Sequence, residues 1–399
     1  MNRDPLTDTD ARPAWLTHNL KVLSGVSLLQ DAASELLYPI LPIFLTVVLG
    51  APVAVVGAVE GLAEGAASLT KLGSGFLGDR FQRRPLIGVG YGLAAVGKVV
   101  IALAVVWPLV LCGRVLDRLG KGVRGAPRDG LLVEGVPPGA VGRAFGFHRM
   151  ADTLGAVIGP LIGLAGYELL DHRIRPLLWV AVVPAVLSVL LVAAVRERRR
   201  PAPAHRSRNI FAGAGELQRT YWRVVAALAL FSLVNFPDAL LLLRLHDIGF
   251  SVTALFLAYV GYNVVYAAAS YPAGLLSDRL SRPRVFGVGL VFFAVGYLGL
   301  GLTRSHPVAW LVLALYGLFS AFTDGVAKAW ISGLAPRERQ ASAQGIFQSI
   351  TGLCVLVAGI WAGLAWGADG RLPLLVSGMA GAILAVLLVA GGARRRQAV

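Results

Sequence analysis

Charge is scarce in this chain. Asp, Glu, Lys and Arg make up 15% of its 399 residues and hydrophobic residues 56%, whereas a water-soluble protein carries about 25% charge to cover its surface. Cysteine is scarcer. Cys112 and Cys354 both sit within apolar runs, which leaves no disulfide framework and no thiolate metal site. There is no P-loop of the GxxxxGK type and no nucleophile or metal set, so ATP hydrolysis and enzymatic chemistry are both disfavoured. Neither a cofactor nor a metal is expected. The opening MNRDPLTDTDARPAW mixes acids with bases. It lacks the apolar core of a cleaved signal, so the first apolar run is expected to remain as a membrane span.

What the chain does have is long apolar runs. A helix needs about 20 such residues to cross roughly 30 Å of hydrocarbon. Twelve segments qualify: 20–48, 52–77, 85–106, 108–130, 144–169, 176–195, 223–246, 251–276, 284–303, 307–332, 342–366 and 372–393. The fold class is therefore all-α, a polytopic membrane protein embedded in the lipid bilayer.

The formal charge is +15, from 37 bases and 22 acids. Its location decides its meaning. Arg80, Arg83, Arg84, Arg143, the run Arg196–Arg200, Arg279, Arg282, Arg284, Arg337, Arg339 and Arg394–Arg396 all fall on one side if twelve spans alternate. The positive-inside rule makes that side cytoplasmic, with both termini there, in a bacterial-type inner membrane. Much of the charge is thus topology, and no nucleic-acid partner is expected.

Two loops repeat. SGFLGDRFQRRPL (74–86) and AGLLSDRLSRPRV (273–285) place Gly75, Asp79, Arg80 and Arg83 against Gly274, Asp278, Arg279 and Arg282, each pair 199 residues apart. The same offset relates Pro137 to Pro336 and Gly146 to Gly345. The expected division is an N-terminal six-helix bundle (1–195), a basic cytoplasmic linker (196–222) and a C-terminal six-helix bundle (223–399). A parallel repeat of this kind gives a pseudo-twofold axis along the membrane normal and a binding site between the halves. An Asp-Arg turn between packed helices suits a gate, an ion pair made in one rocking state. The second loop lacks a second consecutive arginine after Arg282 and is expected to be the weaker lock.

GFLGDRFQRR resembles the loop motif of the major facilitator superfamily between its second and third spans, departing at Gln82, where Gly is usual. GAVIGPLIGL (155–164) is similar to that superfamily's fifth-span motif of proton antiporters: Gly155, Gly159, Pro160 and Gly163 match, and Leu164 stands where a second Gly is usual. The resemblance covers almost the whole chain. It implies a monomeric secondary transporter whose first, fourth, seventh and tenth spans line the cavity.

Ionisable residues within a span cost roughly 2.5–3.5 kcal/mol each on insertion scales, so each is a functional candidate. Asp31 and Glu35 share one face of the first span, four residues apart. Two acids so close resist ionising together, which suits a proton carrier. Glu64, near Glu60 in the second span, is the reserve. The fourth span carries Arg114, Arg118, Lys121 and Arg128 in one stripe, with Asp117 beside it. Arg114 resembles the superfamily's fourth-span arginine, with Arg118 and Lys121-Gly122 as an alternative alignment. Arg124 and Arg128 are expected to snorkel. The second half offers Asn235, Asp238, Asn263, Tyr266, Asp324 and Lys328, the last two expected to pair with each other. His148 reads as a structural partner, and Tyr259, Tyr262 and Tyr266 as packing. The resemblance implies proton-coupled export of a small molecule: a drug, siderophore or metabolite. Uptake of a small organic anion is the alternative, since arginine suits carboxylate or phosphate.

Overall fold

The computed structural model describes residues 15–38, 41, 44–51, 53–171, 173–197, 217–367 and 369–394. Among these residues all regular structure is helical. The first half comprises α1 (His18–Leu37), α2 (Val53–Arg80), α3 (Arg83–Ala102), α4 (Trp107–Leu132), α5 (Val141–Leu169) and α6 (Ile174–Val192). The second comprises α7 (Arg219–Ser232), α8 (Asp238–Ile248), α9 (Val252–Arg279), α10 (Arg282–Leu302), α11 (His306–Leu334), α12 (Gln340–Leu364) and α13 (Arg371–Arg394).

The seventh span differs from its expected form. It is two helices, α7 and α8, separated by Leu233–Pro237. Pro237 removes a backbone donor and pushes Phe236 out of helical geometry. The other breaks follow composition. Two-residue turns, Phe81–Gln82 and Leu280–Ser281, flanked by arginines, join α2 to α3 and α9 to α10. Single 3-10 turns, Pro138–Ala140 and Arg337–Arg339, precede α5 and α12 at positions 199 apart.

Seven of the described helical segments are long and apolar enough to cross a membrane by length and composition alone. α1, α2 and α4 carry charge, and the seventh span is split. Around the outside, Leu69, Leu169, Leu302, Leu311 and Leu364 stand exposed, as they would against lipid. The helical form satisfies the backbone internally, which a bilayer requires.

Packing repeats across the halves. α2 lies on α4, and α9 on α11; α3 lies on α4, and α10 on α11; α1 lies on α5. The interiors differ. Phe231, Phe293, Tyr297 and Phe319 make an aromatic core in the second half, with the Phe293 and Tyr297 rings 4.0 Å apart. The first half has two largely aliphatic cores, one around Leu36, Phe44, Ile101 and Leu177 and one around Leu20, Leu23, Ile87 and Leu131, with buried charge between its helices. The halves meet mainly along α2 with α12 and along α5 with α9.

Both crossings are built on glycine. A Cβ on Gly146 would come 3.0 Å from the Gly274 Cα, and one on Gly75 3.1 Å from the Gly345 Cα. Only glycine lets the backbones approach this closely. These contacts lie at the end that carries the basic loops, called here the basic end.

Candidate functional site: two locks and a buried polar layer

α5 and α12 each begin without a side-chain cap of their own. The first N–H groups of a helix need acceptors, and a carboxylate there also meets the positive end of the dipole. The opposite half supplies it. Asp79 Oδ1 accepts from Ala341 N at 3.0 Å and Oδ2 from Ser342 N at 2.7 Å. Asp278 Oδ1 accepts from Gly142 N at 2.7 Å and Oδ2 from Arg143 N at 2.9 Å. Every residue of one lock stands 199 positions from its counterpart in the other.

The cations differ. Asp79 is held by Arg83 of its own loop at 3.1 Å, and the buried Arg83 also donates to Gly78 O. Asp278 is held at 3.2 Å by Arg143 from the other half. Arg282 lies close enough to Asp278 to act on it electrostatically, and Arg80 and Arg279 are exposed at the loop tips.

Deeper in, a second polar layer joins the halves. Asp129 is fully buried. Its Oδ2 accepts from Lys328 Nζ at 2.7 Å and Gln348 Nε2 at 2.9 Å, and Arg128 holds Oδ1 at 3.1 Å. Arg128 also donates to Ser27, and Ser27 donates to Asp152. Arg149 pairs with Asp152 at 2.7 Å and reaches Asp324 at 3.7 Å, while Tyr266 donates to Asp324. Asp324 and Lys328 therefore pair with the opposite half and not with each other, as the sequence had suggested. Arg128 does not snorkel; its charge is used inside this layer. Arg124 likewise stays in, stacked 4.4 Å over the Tyr91 ring. His148 is buried with Ser24 3.4 Å from its Nδ1.

The expected stripe on α4 is divided among three environments. Arg114 is buried beside Asp117 at 3.6 Å. Asp117 also takes Lys98 Nζ at 2.9 Å, so this acid lies inside the first half. Lys98 further donates to Ser34, and Gln30 reaches both Ser34 and Asp117. Arg118 is partly exposed and Lys121 exposed. Glu35 lies within electrostatic reach of Lys121, Arg118 and Arg114, and Asp31 of Lys121 and Asp152. Long flexible stems let residues on one helical face choose different partners. The side chains of Glu60 and Glu64 lie outside the described residues.

The matched glycines of α5 pack on α1 at the turn bearing the acids. A Cβ on Gly155 would come 3.1 Å from the Asp31 Cβ, one on Gly159 3.0 Å from Leu36 N, and one on Gly163 3.3 Å from Leu36 O. Pro160 lies within α5.

In the second half, Asp238 opens α8. Tyr316 and Tyr262 donate to its two oxygens at 2.9 and 3.2 Å. Asn235 lies in the break, its Oδ1 3.5 Å from Tyr297 Oη. Asn263 donates to Tyr259 O at 2.9 Å. Tyr259, Tyr262 and Tyr266 form one face of α9, with neighbouring rings 6.0 Å apart.

Sequence reasoning missed Lys98, Gln30 and Ser34. The signal for Lys98 was present: a lone lysine in the apolar run GKVVIA meets the same criterion that singled out the other intramembrane charges.

Two helical halves related by a repeat and locked together at one end are the architecture of a secondary transporter. The sequence profile of the Major Facilitator Superfamily matches residues 23–243 and 224–398, and the chain belongs to that family, a multi-pass membrane family of transporters and not of enzymes. An uncharacterized MFS-type transporter of Methanocaldococcus jannaschii is 29% identical over 381 residues, covering 94% of this chain and 95% of its own. A multidrug resistance protein of Aeromonas hydrophila is 26% identical, covering 83% and 85%. Among solved structures, the fold is similar to a bacterial homologue of the iron transporter ferroportin in an outward-facing state, with TM-score 0.74 at 17% identity over 94% of this chain and 99% of that one.

Proposed function

We propose that this transporter exports a small molecule in exchange for protons, and that Asp31 and Glu35 carry the coupling proton. The observation that supports it most is the course of α5. One stretch of that helix rests on α1 at Asp31, through Gly155 and Gly159. Another carries Gly142, Arg143 and Gly146, which hold the halves together at the basic end. Proton loss or gain at Asp31 and Glu35 changes their attraction for Lys121 and Arg118. A shift of α1 against the glycine face then moves the helix that carries the lock. Coupling of this form biases an equilibrium between two rocking states.

The basic end is the cytoplasmic side in this reading, with both termini there and the chain divided at residues 196–222. The likeness to proteins named for multidrug resistance supports the export direction. A second reading, uptake of a small organic anion, rests on Arg118 and Lys121, which are respectively partly exposed and exposed and lie within electrostatic reach of Glu35.

The test is transport in inverted membrane vesicles carrying an imposed pH gradient, with a panel of cationic, neutral and anionic compounds. Gradient-dependent accumulation of cationic or neutral compounds is expected. Accumulation of anions alone would favour the second reading, and movement indifferent to the gradient would remove proton coupling.

A further inference from the structure

Buried carboxylates in this protein are matched by cations: Asp117 by Lys98, Asp129 by Lys328, Asp152 by Arg149. Among the described residues Asp238, half-buried, has no such cation. Among these its polar partners are two phenols, Tyr262 and Tyr316, and the charged side chain that acts on it is another acid, Asp324. A carboxylate set in a membrane interior without a counter-ion is expensive, and such a residue marks a place where a charge is meant to arrive.

The surroundings say what kind of charge. The Tyr262 and Tyr316 rings stack 5.6 Å apart beside the carboxylate, and Tyr259 stacks on Tyr262 at 6.0 Å. Aromatic faces attract a weakly hydrated cation. Among the described residues no group of His, Cys, Asp and Glu could hold a metal ion. Each phenol occupies one lone pair of the carboxylate and leaves others open, so the acid stays oriented but not saturated.

The location fits a ligand site as well. Leu37, the last residue of α1, stands 199 positions before Phe236 in the break between α7 and α8. α7 ends at Ser232, so the first helices of the two halves stop about one turn apart in repeat register, and helix ends near matched positions of two repeats point to the binding site. Tyr259 lies within electrostatic reach of both Glu35 from the first half and Asp238 from the second, so one ring of α9 stands near acids of both halves.

We propose that Asp238, walled by Tyr262, Tyr316 and Tyr259, seats the ammonium group of an amphiphilic organic cation. This rests on the transporter reading above and names its substrate class. The carboxylate supplies the charge, the rings supply cation–π contact, and the rest of the molecule extends toward α1.

The experiment is calorimetric titration of the full-length purified protein with benzyltrimethylammonium, whose charge is fixed at every pH, and with phenylacetate as the anionic comparison. The wild type should bind the cation at both pH 6 and pH 8. Asp238→Asn, which keeps one acceptor oxygen beside the phenols and removes the charge, should weaken cation binding about tenfold or more, the loss of one desolvated charge pair. Asp238→Glu should retain part of the affinity, and Tyr262→Phe, which keeps the ring, should lose only severalfold. Thermal unfolding of each variant separates loss of fold from loss of site. Wild-type protein that ignores the cation, or an Asp238→Asn variant that binds it as wild type does, would overturn the proposal. A variant with altered pH dependence of transport but normal cation affinity would also overturn it, making Asp238 a proton carrier. Cation binding that depends on Asp238, without gradient-driven movement, would sink the export reading and leave this site standing.

Discussion

Lys328 Nζ lies 2.7 Å from Asp129 Oδ2, and the two residues are 199 positions apart, the repeat offset itself. Residues at equivalent positions of two repeats can touch only beside the pseudo-twofold axis. The pair therefore joins the halves at their centre. Removing one partner of a buried pair costs about 3–5 kcal/mol because it leaves the other charge uncompensated, and neutralising both avoids that cost.

Lys328→Met should therefore shift the population toward a form open at the basic end, and Asp129→Asn combined with Lys328→Met should restore much of the closed form. Spin labels at Arg80 and Arg337, both exposed, would show this as a longer distance in the single variant and partial recovery in the double. Unchanged distances in Lys328→Met would rule out a role for the pair in closure.

The locks give a second prediction. The lack of a consecutive arginine after Arg282 had suggested that Asp278 makes the weaker lock, but its partner Arg143 crosses from the other half at 3.2 Å. Hydrogen bonds to a charged group contribute about 1.5–3 kcal/mol each. Asp79→Asn and Asp278→Asn should consequently impair transport to a similar degree, with membrane insertion intact. Full transport by either would show that its lock is dispensable.

Gly146→Val should keep the halves from meeting, because its Cβ would already press the Gly274 Cα at 3.0 Å. The same pair of spin labels should report an expanded basic end and transport should fail. A normal distance distribution in this variant would mean that another contact sets the approach of α5 and α9.

Much of the architecture could be read from the chain. Basic clusters and apolar runs defined the spans, and the matched Asp79 and Asp278 loops implied the repeat. What could not be read was pairing across the halves. Asp324 and Lys328 are four residues apart on one helix, so an internal pair was the local expectation; only the tertiary arrangement brings Arg149 and Asp129 to them. The break at Leu233–Pro237 was hidden because its residues are themselves apolar enough to continue a span. Lys98 was hidden by the strength of the run around it.

Arg118 separates the two transport readings. If it serves as a charge partner of Glu35, Arg118→Lys should keep affinity for transported cations within about threefold and shift the pH profile instead, since charge is preserved while the guanidinium fork is lost. A large loss of affinity for an organic anion with an unchanged pH profile would make Arg118 a substrate ligand and favour uptake.

Proton coupling through α1 is the central claim, and one comparison tests it most directly. Wild type, Asp31→Asn and Glu35→Gln should be reconstituted in proteoliposomes, and accumulation of a fluorescent organic cation followed under an imposed pH gradient and during exchange without one. Glu35→Gln should lose gradient-driven accumulation about tenfold or more yet retain exchange, because the rocking motion survives while its link to the proton is cut. Gradient-driven accumulation at wild-type levels in both variants would contradict the account.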